Sequence, residues 1–455
     1  MKKYKIQKND YNRSLITETT PYETPIIFSN SGIYDLLSGK DNSNIIKSTI
    51  IRKISDHKTK KTTPYHYKIK KDSLEYRRLA LIHPSSQIAI RDFYQEYEYL
   101  MIHFCNQSPA SIRSIKGVAN SFYKKSSWEN INKYKSGSVA LKNEEKYSKY
   151  SPSFFSYKGF DRLYKFFNSK FYFNLEKKYS HLRTIDISKC FDSIYTHTIF
   201  WATKDKEYAK ENIQYNNFSD TFDRVIRRGN YEETNGIPIG AEINRIFAEI
   251  ILQKIDNNVI SELSAIGFEF DKEYAFYRYV DDIYVFTNDE EASKKIYKIF
   301  SNELLSFNLH VNQSKSTITS RPFTTKKSIT IYNASSKTND FIDKFLEPKN
   351  FHSLTPKSIR SKWKLTKNYI ESIKETCGLN DANYSDIAPY LISILNERIK
   401  KIVSIQKIDD ESIKSDYYSA FNVLLDIIFF LYTVAPSVGA SYRLCTSIIL
   451  DRKSV

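Results

Sequence analysis

The sequence contains little cysteine. Its 455 residues include four cysteines, which lie far apart in the chain: Cys105, Cys190, Cys377 and Cys445. Because none of them belongs to a C-x-x-C pair, neither a structural zinc site nor a disulfide framework is predicted. We therefore expect a reducing, cytoplasmic location.

Long apolar runs and the P-loop glycine motif are also missing. Residues 1–11 contain no apolar run, so we expect no signal peptide. The most apolar stretch, residues 420–435, is interrupted by Asn422 and Asp426 and is too short to span a bilayer. It predicts a buried helix, and we expect no membrane partner. The absence of a G-x-x-x-x-G-K-[ST] motif excludes P-loop NTPases.

Positive charge is present in excess. Lys and Arg total 69 against 52 Asp and Glu, which gives a formal net charge of +17. An excess of this size indicates a polyanionic partner such as nucleic acid. The chain is also rich in Lys, Asn, Ile and Tyr and has only 11 Gly, a profile that codon bias in an AT-rich genome would produce. The charge therefore suggests a partner without identifying it.

The distribution of residue types divides the chain into four predicted regions. Residues 1–70 are polar and are predicted to form an N-terminal arm. Residues 71–183 include an aromatic-rich helix expected at residues 92–106. In residues 184–325 short β-type runs alternate with helical segments, which is typical of an α/β layer. The strand signals then stop, so residues 326–455 are predicted to be all α-helical.

Two adjacent aspartates lie between two strand-like runs. Residues 277–286 read Y-R-Y-V-D-D-I-Y-V-F, which predicts a β-hairpin with Asp281 and Asp282 at its turn. The same dipeptide at residues 409–410 is followed by polar residues and does not read as a strand. From this segment alone, a metal site and an ordinary turn are both open.

A third carboxylate, Asp186, interrupts the strand-like run at residues 182–194. Such a placement is costly unless the carboxylate is paired or binds a cation. If this strand lies beside the hairpin, three carboxylates converge and repel one another, and divalent cations would relieve the repulsion. Magnesium suits a few carboxylates plus substrate phosphates, and two such ions would activate a 3′-hydroxyl and stabilise the leaving pyrophosphate. The alternative is a buried Asp186 paired with a nearby Arg or Lys.

The order and spacing of these motifs resemble the palm of reverse transcriptases. Residues 279–282 resemble the Y-x-D-D hairpin of that family, and Asp186 resembles its first catalytic aspartate. Residues 236–240, G-I-P-I-G, resemble the G-x-P-x-G loop that positions the template and the incoming nucleotide. Residues 309–315 resemble a later palm motif whose lysine is proposed to protonate pyrophosphate. A solvated Lys315 is the alternative.

The resemblance implies a set of site residues. The implied catalytic residues are Asp186, Asp281, Asp282 and Lys315. The implied metal ligands are Asp186, Ile187, Asp281 and Asp282. The implied nucleotide-binding residues are Phe191, Arg78, Arg113, Gly236, Pro238 and Gly240. The implied cofactor is Mg²⁺, with Mn²⁺ as a second option, and the implied substrates are dNTPs.

Three of these nucleotide-binding residues have ordinary alternatives. Phe191 stands five residues after Asp186, where polymerases of this family have an aromatic side chain that crowds the sugar 2′ position. A ring there admits only nucleotides without a 2′-hydroxyl, whereas the alternative is that Phe191 fills the core. Arg78 and Arg113 belong to a stretch that resembles the fingers of the family, and each is equally explained as a surface or ion-paired arginine.

Departures from the common pattern indicate the branch of the family. Ile239 stands where most reverse transcriptases have Gln, and Asn244 stands where they often have Ser. Ile239 offers no side-chain hydrogen bond near a template-primer, which puts ordinary template handling in doubt. Residues 186–202 and 236–256 resemble the abortive-infection reverse transcriptases of bacteria, the AbiK-like group.

That group implies both a fold and a role. The expected fold is an α/β polymerase fold, with fingers at residues 71–183, a palm at residues 184–325 and an all-α C-terminal region in place of a thumb. The group defends bacteria against phage in the cytoplasm and acts as homo-oligomers. Its members make single-stranded DNA without a template, primed by a protein side chain. A Tyr hydroxyl is the implied primer, and the 35 Tyr residues leave its position open.

Two other functions compete with this prediction. One is a templated RNA-directed DNA polymerase of the retron or group II intron type, which Ile239, the lack of a C-terminal V-T-G triplet and the lack of Cys/His clusters disfavour. The other is a catalytically inactive palm that only binds nucleic acid or a phage protein. The three intact aspartates disfavour that second alternative.

Overall fold

The computed structural model describes residues 2–18, 28, 30–38, 45–55, 61–70, 75–124, 153–160, 162–204, 207, 217–350, 353–403 and 411–454. Residues 126–151 form a polar stretch that predicts a surface connection, and they lie outside the described residues, as does the Asp-Asp dipeptide at residues 409–410.

The strands are short and all pair in antiparallel fashion. In chain order they are β1 (Lys2–Lys5), β2 (Tyr65–Lys70), β3 (Tyr76–Leu81), β4 (Arg113–Val118), β5 (Ser121–Lys124), β6 (Phe155–Gly159), β7 (His181–Asp186), β8 (Tyr274–Tyr279), β9 (Asp282–Thr287), β10 (Thr317–Ser320), β11 (Leu346–Asn350) and β12 (Ser353–Pro356).

The helices in the first two thirds of the chain are α1 (Ser14–Thr17), α2 (Ser31–Leu37), α3 (Ile45–Ser55), α4 (Pro84–Phe104), α5 (Leu163–Phe167), α6 (Lys170–Lys178), α7 (Cys190–Ser193), α8 (Thr198–Thr203), α9 (Phe218–Arg228), α10 (Glu242–Ala265) and α11 (Glu290–Ser306). The remaining helices are α12 (Lys326–Asp343), α13 (Lys362–Leu379), α14 (Tyr384–Val403), α15 (Glu411–Val434) and α16 (Val438–Ser454).

A four-stranded antiparallel sheet with the order β10-β7-β9-β8 holds the segments that the sequence singled out. Because side chains alternate between the two faces of a strand, Ile283 and Val285 of β9 join the core around α10. Tyr284 and Phe286 face the opposite side and pack with aromatic residues of α5 and α6. The central strand β9 is therefore covered on both faces, whereas the edge strand β10 is mostly exposed.

Two long helices support this sheet. The helix predicted at residues 92–106 is α4, which begins earlier because Pro84 suits a first helical turn and the His83 side chain accepts the Ser85 N–H at 3.1 Å. Helix α10 is buried along most of its length in the same core.

The N-terminal segment is anchored in that core. Glu18 is 1% exposed, and its Oε2 accepts the N–H of Ile243 at 3.0 Å in the first turn of α10. Tyr94 of α4 donates a hydrogen bond to the other oxygen of Glu18. The residue before α10, Ala241, has no capping side chain, so a carboxylate from the start of the chain satisfies that helix end.

A second hydrophobic core lies in the C-terminal region and is formed by helices α12 to α16. The prediction that this region is all α-helical is wrong, because β11 and β12 form an antiparallel pair there. The pair is stabilised by packing: Leu346 and Leu354 are buried in the second core. The run is too short and too interrupted by proline to give a recognisable strand pattern in the sequence.

The apolar stretch expected to be a buried helix is part of α15. Among the described residues, one helical span, Lys414–Val434, is long and apolar enough to cross a membrane by length and composition alone. Core helices meet the same criterion, and seven α15 side chains are buried in the second core: Ala420, Phe421, Val423, Leu424, Ile427, Ile428 and Leu431.

Candidate active site

Three carboxylates meet where two neighbouring strands of the four-stranded sheet begin or end. Asp186 is the last residue of β7 and stands opposite Asp282, the first residue of β9. Asp281 lies in the two-residue link between β8 and β9, since Tyr279 pairs directly with Asp282. The backbone N–H of Ile187 donates to the carbonyl of Asp281 at 3.3 Å, which ties the two segments together. We call Asp186, Asp281 and Asp282 the carboxylate cluster.

The link holds Val280 in a conformation that β-branched residues rarely adopt, with φ of +59°. Two-residue hairpin turns favour glycine or asparagine at positions with positive φ. Here the Nη1 of Arg278 donates to the Val280 carbonyl at 3.0 Å and so helps to fix the turn. The turn geometry that presents Asp281 is therefore imposed by the surroundings.

Arg278 is itself fully buried beneath the hairpin. Its guanidinium lies 2.8 Å from a carboxylate oxygen of Asp256 and 2.8 Å from one of Glu249, both on α10. Burial alone would lower the pKa of Arg278, but Asp256 and Glu249 raise it above its usual value. We call Arg278, Glu249 and Asp256 the arginine network. It locks α10 to the strand that carries the turn.

The carboxylate cluster has no comparable compensation. Burial raises the pKa of Asp282 to about 7, and the neighbouring Asp281 and Asp186 act in the same direction. The pKa of Asp281 is also raised, first by burial and then by Asp186, while Arg77 and Lys315 lower it. Holding Asp281 and Asp282 ionised together is therefore unfavourable without added positive charge.

A loop after α11 supplies the nearest cation. The Nζ of Lys315 lies 3.1 Å from Oδ2 of Asp186, and Lys315 is more than half exposed. Asn312 donates twice to the same aspartate, from its side chain to Oδ2 at 3.0 Å and from its backbone to the carbonyl at 2.8 Å. Asp186 therefore lies beside another carboxylate, as one expectation has it, and is also paired with a lysine, as the alternative has it.

The donor set of the cluster fits a hard divalent cation. Within the described ranges, no three His, Cys, Asp or Glu side chains form a ready-made metal cage. Mg²⁺ does not need one, because it is commonly bound by one or two carboxylates together with substrate phosphates and water. All donors here are oxygens, and the raised pKa values show that the site favours added positive charge. The side chain of Ile187 is buried, so any contribution of this residue falls to its backbone.

The G-I-P-I-G loop is packed tightly beside the site. Gly236 and Gly240 have φ of +84° and +145°, and a Cβ at Gly240 would lie 2.6 Å from the carbonyl oxygen of Ala80 in β3. The Ala80 N–H donates to the carbonyl of Ile239 at 2.8 Å, and the Asn244 side chain donates to the carbonyl of Pro238 at 2.6 Å. The loop is therefore fixed through its backbone, which only glycine permits at Gly240.

A cleft of about 420 Å³ opens between this loop and the β2–β3 ribbon, and Arg78 and Asp192 are among its lining residues. Phe191, next to Asp192, is partly buried against the core around α10, and its carbonyl accepts the Ile237 N–H at 2.8 Å. The three carboxylates of the cluster do not line the cleft. The structure thus places the predicted nucleotide residues Gly236, Pro238 and Arg78 at the cleft, with Phe191 and Gly240 anchoring its walls.

Arg113 lies elsewhere. Its guanidinium carbon is 4.5 Å from the ring centroid of Tyr157 and 5.7 Å from that of Tyr279, under the hairpin. It is a cation–π partner of the residue that opens the Y-V-D-D motif. Its predicted contact with a nucleotide stays a prediction.

Sequence reasoning missed three residues. Arg77, rather than Arg78, is the arginine whose charge lowers the pKa of Asp281. Asn312 lies within the motif at residues 309–315, and Arg278 lies inside the hairpin segment itself. An arginine in an otherwise apolar strand was the available signal for Arg278, because such a residue needs buried acidic partners.

The four-stranded sheet therefore brings the two-residue hairpin and three converging carboxylates together in one site. The chain belongs to the reverse transcriptase (RNA-dependent DNA polymerase) family, whose family model matches residues 124–354, just over half of the chain. The prediction of a reverse transcriptase domain is thereby confirmed, and its assignment to the AbiK-like group stays a prediction.

Similar solved structures include two telomerases. Telomerase from Candida albicans in complex with a TWJ fragment of telomeric RNA is 12% identical with a TM-score of 0.33, over 88% of this chain and 67% of that chain. Apo telomerase from Candida tropicalis is 13% identical with a TM-score of 0.36, over 94% and 72% of the respective chains. These similarities are too low to indicate a shared substrate or partner. No curated protein matches the sequence.

Proposed function

We propose that this reverse transcriptase family member is a metal-dependent DNA polymerase that adds dNTPs without a template. One observation carries the metal-dependent polymerase activity in this proposal: Asp186, Asp281 and Asp282 converge at the strand ends, with carboxyl pKa values raised at both hairpin positions. Groups that repel one another at a site of solvent access are suited to binding cations together with a polyphosphate. A structural role alone does not explain the cost of keeping them together.

Each residue has a part in this chemistry. Asp186, Asp281 and Asp282 would hold Mg²⁺ or Mn²⁺, with the Ile187 carbonyl beside them. Such ions, when bound, supply charge neutralisation at the transferring phosphoryl group and at the leaving pyrophosphate. Lys315 carries a proton within reach of Asp186 and would deliver it to the pyrophosphate.

The cleft would accommodate the nucleotide. Gly236, Pro238 and Gly240 shape one wall through their backbone, and Arg78 offers a guanidinium for triphosphate or strand phosphates. Arg113 would act from beneath the hairpin, through Tyr279.

The absence of a template is proposed on Ile239. Its side chain is aliphatic and lies in the lining of the cleft, where most of the family has an amide donor. With this departure we also propose an anti-phage, abortive-infection role in the bacterial cytoplasm, priming from a Tyr hydroxyl, a single-stranded DNA product and a homo-oligomer. The same proposal includes fingers at residues 71–183, a palm at residues 184–325 and, in place of a thumb, a C-terminal region of helices with the β11–β12 pair.

One assay tests the leading function against its two competitors. The purified protein is incubated with dNTPs and Mg²⁺ without template or primer, and protein-linked DNA is sought on denaturing gels with and without nuclease. Template-free, protein-linked product is expected. Product that requires an RNA template would instead indicate a templated enzyme, and no product under either condition would indicate a nucleic-acid-binding protein. The Asp281→Asn variant is the matched control.

Sugar selection can be tested separately at Phe191. Phe191→Ala should raise the ratio of ribonucleotide to deoxynucleotide incorporation by about ten-fold or more, because removing the ring opens room for a 2′-hydroxyl. Incorporation of each labelled nucleotide is measured on the same protein preparation. An unchanged ratio would make Phe191 a core residue only.

A further inference from the structure

An exposed tryptophan at the start of α13 is surrounded by cations. Trp363 is 73% exposed, and Arg360, Lys362 and Lys364 next to it are exposed as well. We call these four residues the Trp363 patch. The patch lies beyond residues 124–354, the part that the family model matches.

The charge of this patch is not compensated. The cations on either side are paired, Lys357 with Glu347 at 2.7 Å and Lys367 with Glu371 at 3.6 Å. Across the described parts of the chain, no ion pair involves the three cations of the patch. The sequence between Lys357 and Glu371 contains no acidic residue. The patch therefore presents net positive charge to solvent.

Helix stability does not account for these residues. The first turn of α13 contains two lysines and no acidic residue, although the positive end of a helix dipole favours acids. The end of the helix is already capped, since Ser361 Oγ accepts the Lys364 N–H at 3.3 Å. The exposed Trp363 ring contributes little to the packing of the second core. Residues that depart in this way from helix and burial preferences are expected where a segment binds a partner.

We propose that the Trp363 patch binds single-stranded DNA, with a base stacked on the Trp363 ring and phosphates against Arg360, Lys362 and Lys364. Aromatic rings and cations side by side are the elements that single-strand binding surfaces combine. The proposal rests on the proposed function, because a polymerase without a template releases a single strand that needs a path away from the carboxylate cluster. The positive charge of the patch is complementary to that product.

The first test removes the ring. A fluorescent oligo-dT of roughly 20 nucleotides is titrated by anisotropy against the Asp281→Asn protein without dNTPs, so that binding is measured apart from polymerisation. Adding Trp363→Ala should weaken binding about ten-fold, and Trp363→Phe should restore most of it. Leu379→Ala, which removes a 78% exposed apolar side chain at the other end of α13, is the matched control.

The second test removes the charge. Replacing Arg360, Lys362 and Lys364 by Ala should make the dependence of log affinity on log salt shallower by about 2, because each lost phosphate contact on a single strand contributes about 0.7. Lys374→Ala, an exposed cation further along α13, should have a much smaller effect. An unchanged slope in the triple variant would overturn the proposal, as would equal binding by the parent and Trp363→Ala.

Other partners are outcomes of the same design. Duplex DNA or vesicles containing phosphatidylserine that bind more tightly than oligo-dT, with the same dependence on Trp363, would overturn the assignment to single strands. Because the oligonucleotide is supplied ready-made, a protein that fails to polymerise but binds oligo-dT through Trp363 refutes the proposed function alone. A polymerase whose binding ignores Trp363 refutes only this inference.

Discussion

Two groups of acidic residues lie on either side of the same hairpin turn and are treated in opposite ways. In the arginine network, Glu249 and Asp256 are paired with Arg278, and all three groups are buried. In the carboxylate cluster, three aspartates share one half-exposed lysine, Lys315, which contacts only Asp186 among them. Acidic residues thus serve two different purposes around one hairpin turn.

The difference separates residues that fix the geometry of the hairpin from residues that are available to bind a ligand. A buried and fully paired charge cluster fixes geometry, since it tolerates neither the loss of a partner nor a change of position. An under-compensated cluster is a poor support, and its surplus of acidic groups is what the proposed cation binding would use. Changes in each group of residues test this division.

Asp281→Asn should lower polymerisation about a thousand-fold, because loss of one carboxylate weakens cation binding that contributes several kcal/mol to the transition state. Thermal unfolding of the metal-free protein should be unchanged or shifted slightly upward, since a source of repulsion is removed. Activity is measured by nucleotide incorporation and stability by circular dichroism. Near-parental incorporation would refute the site assignment.

Arg278→Met should cost roughly 3–5 kcal/mol of unfolding free energy, because it leaves Glu249 and Asp256 buried without a partner. Urea unfolding followed by tryptophan fluorescence gives the value. Arg278→Lys is the milder variant that keeps the charge but loses the paired geometry. If Arg278→Met proves as stable as the parent, the arginine network is not the support described here.

The pH dependence of stability should distinguish the two groups. The pKa of Asp282 is raised from 3.8 to about 7 in the folded protein. Between these values the folded state retains a proton that the unfolded chain releases, so the unfolding free energy falls as the pH rises through this window. Melting in EDTA from about pH 5 to about pH 8 should show this slope in the parent and a weaker one in Asp282→Asn. Equal slopes would contradict the raised pKa.

Lys315→Met should have the smallest effect on stability, within about 1 kcal/mol, because an exposed ion pair contributes little. This small change in unfolding free energy would contrast with the large one expected for Arg278→Met, although both side chains are cations bound to carboxylates. Loss of Lys315 also removes a charge that lowers the carboxyl pKa values of Asp281 and Asp282. The fall of stability with pH should therefore extend to higher pH.

The carboxylate cluster could be predicted from the sequence because each of its residues belongs to a local pattern. One polar residue ends an apolar strand-like run, and a pair of polar residues lies between two such runs. These patterns predict the segments that form β7, β8 and β9. The structure places Asp186 opposite Asp282. The catalytic role of these residues stays a prediction.

Contacts between distant segments were not accessible. Arg278 meets Glu249 and Asp256 only because one face of α10 lies against β8, and no local pattern tells which helix packs there. The choice between Arg77 and Arg78 depends on strand register, which reverses the face of every side chain when it shifts by one residue. The β11–β12 pair was missed because burial of Leu346 and Leu354 in the second core, rather than strand propensity, stabilises it.

The contact between Glu18 and Ile243 has a consequence for biosynthesis. The two residues are 225 positions apart, and the chain leaves the ribosome from its N-terminus. Glu18 therefore stays hydrated until residue 243 has been synthesised, and it is buried only when α10 arrives. Docking of Glu18 thus completes the helix end that follows the G-I-P-I-G loop, so an alteration at Glu18 is expected to reach the cleft that this loop lines.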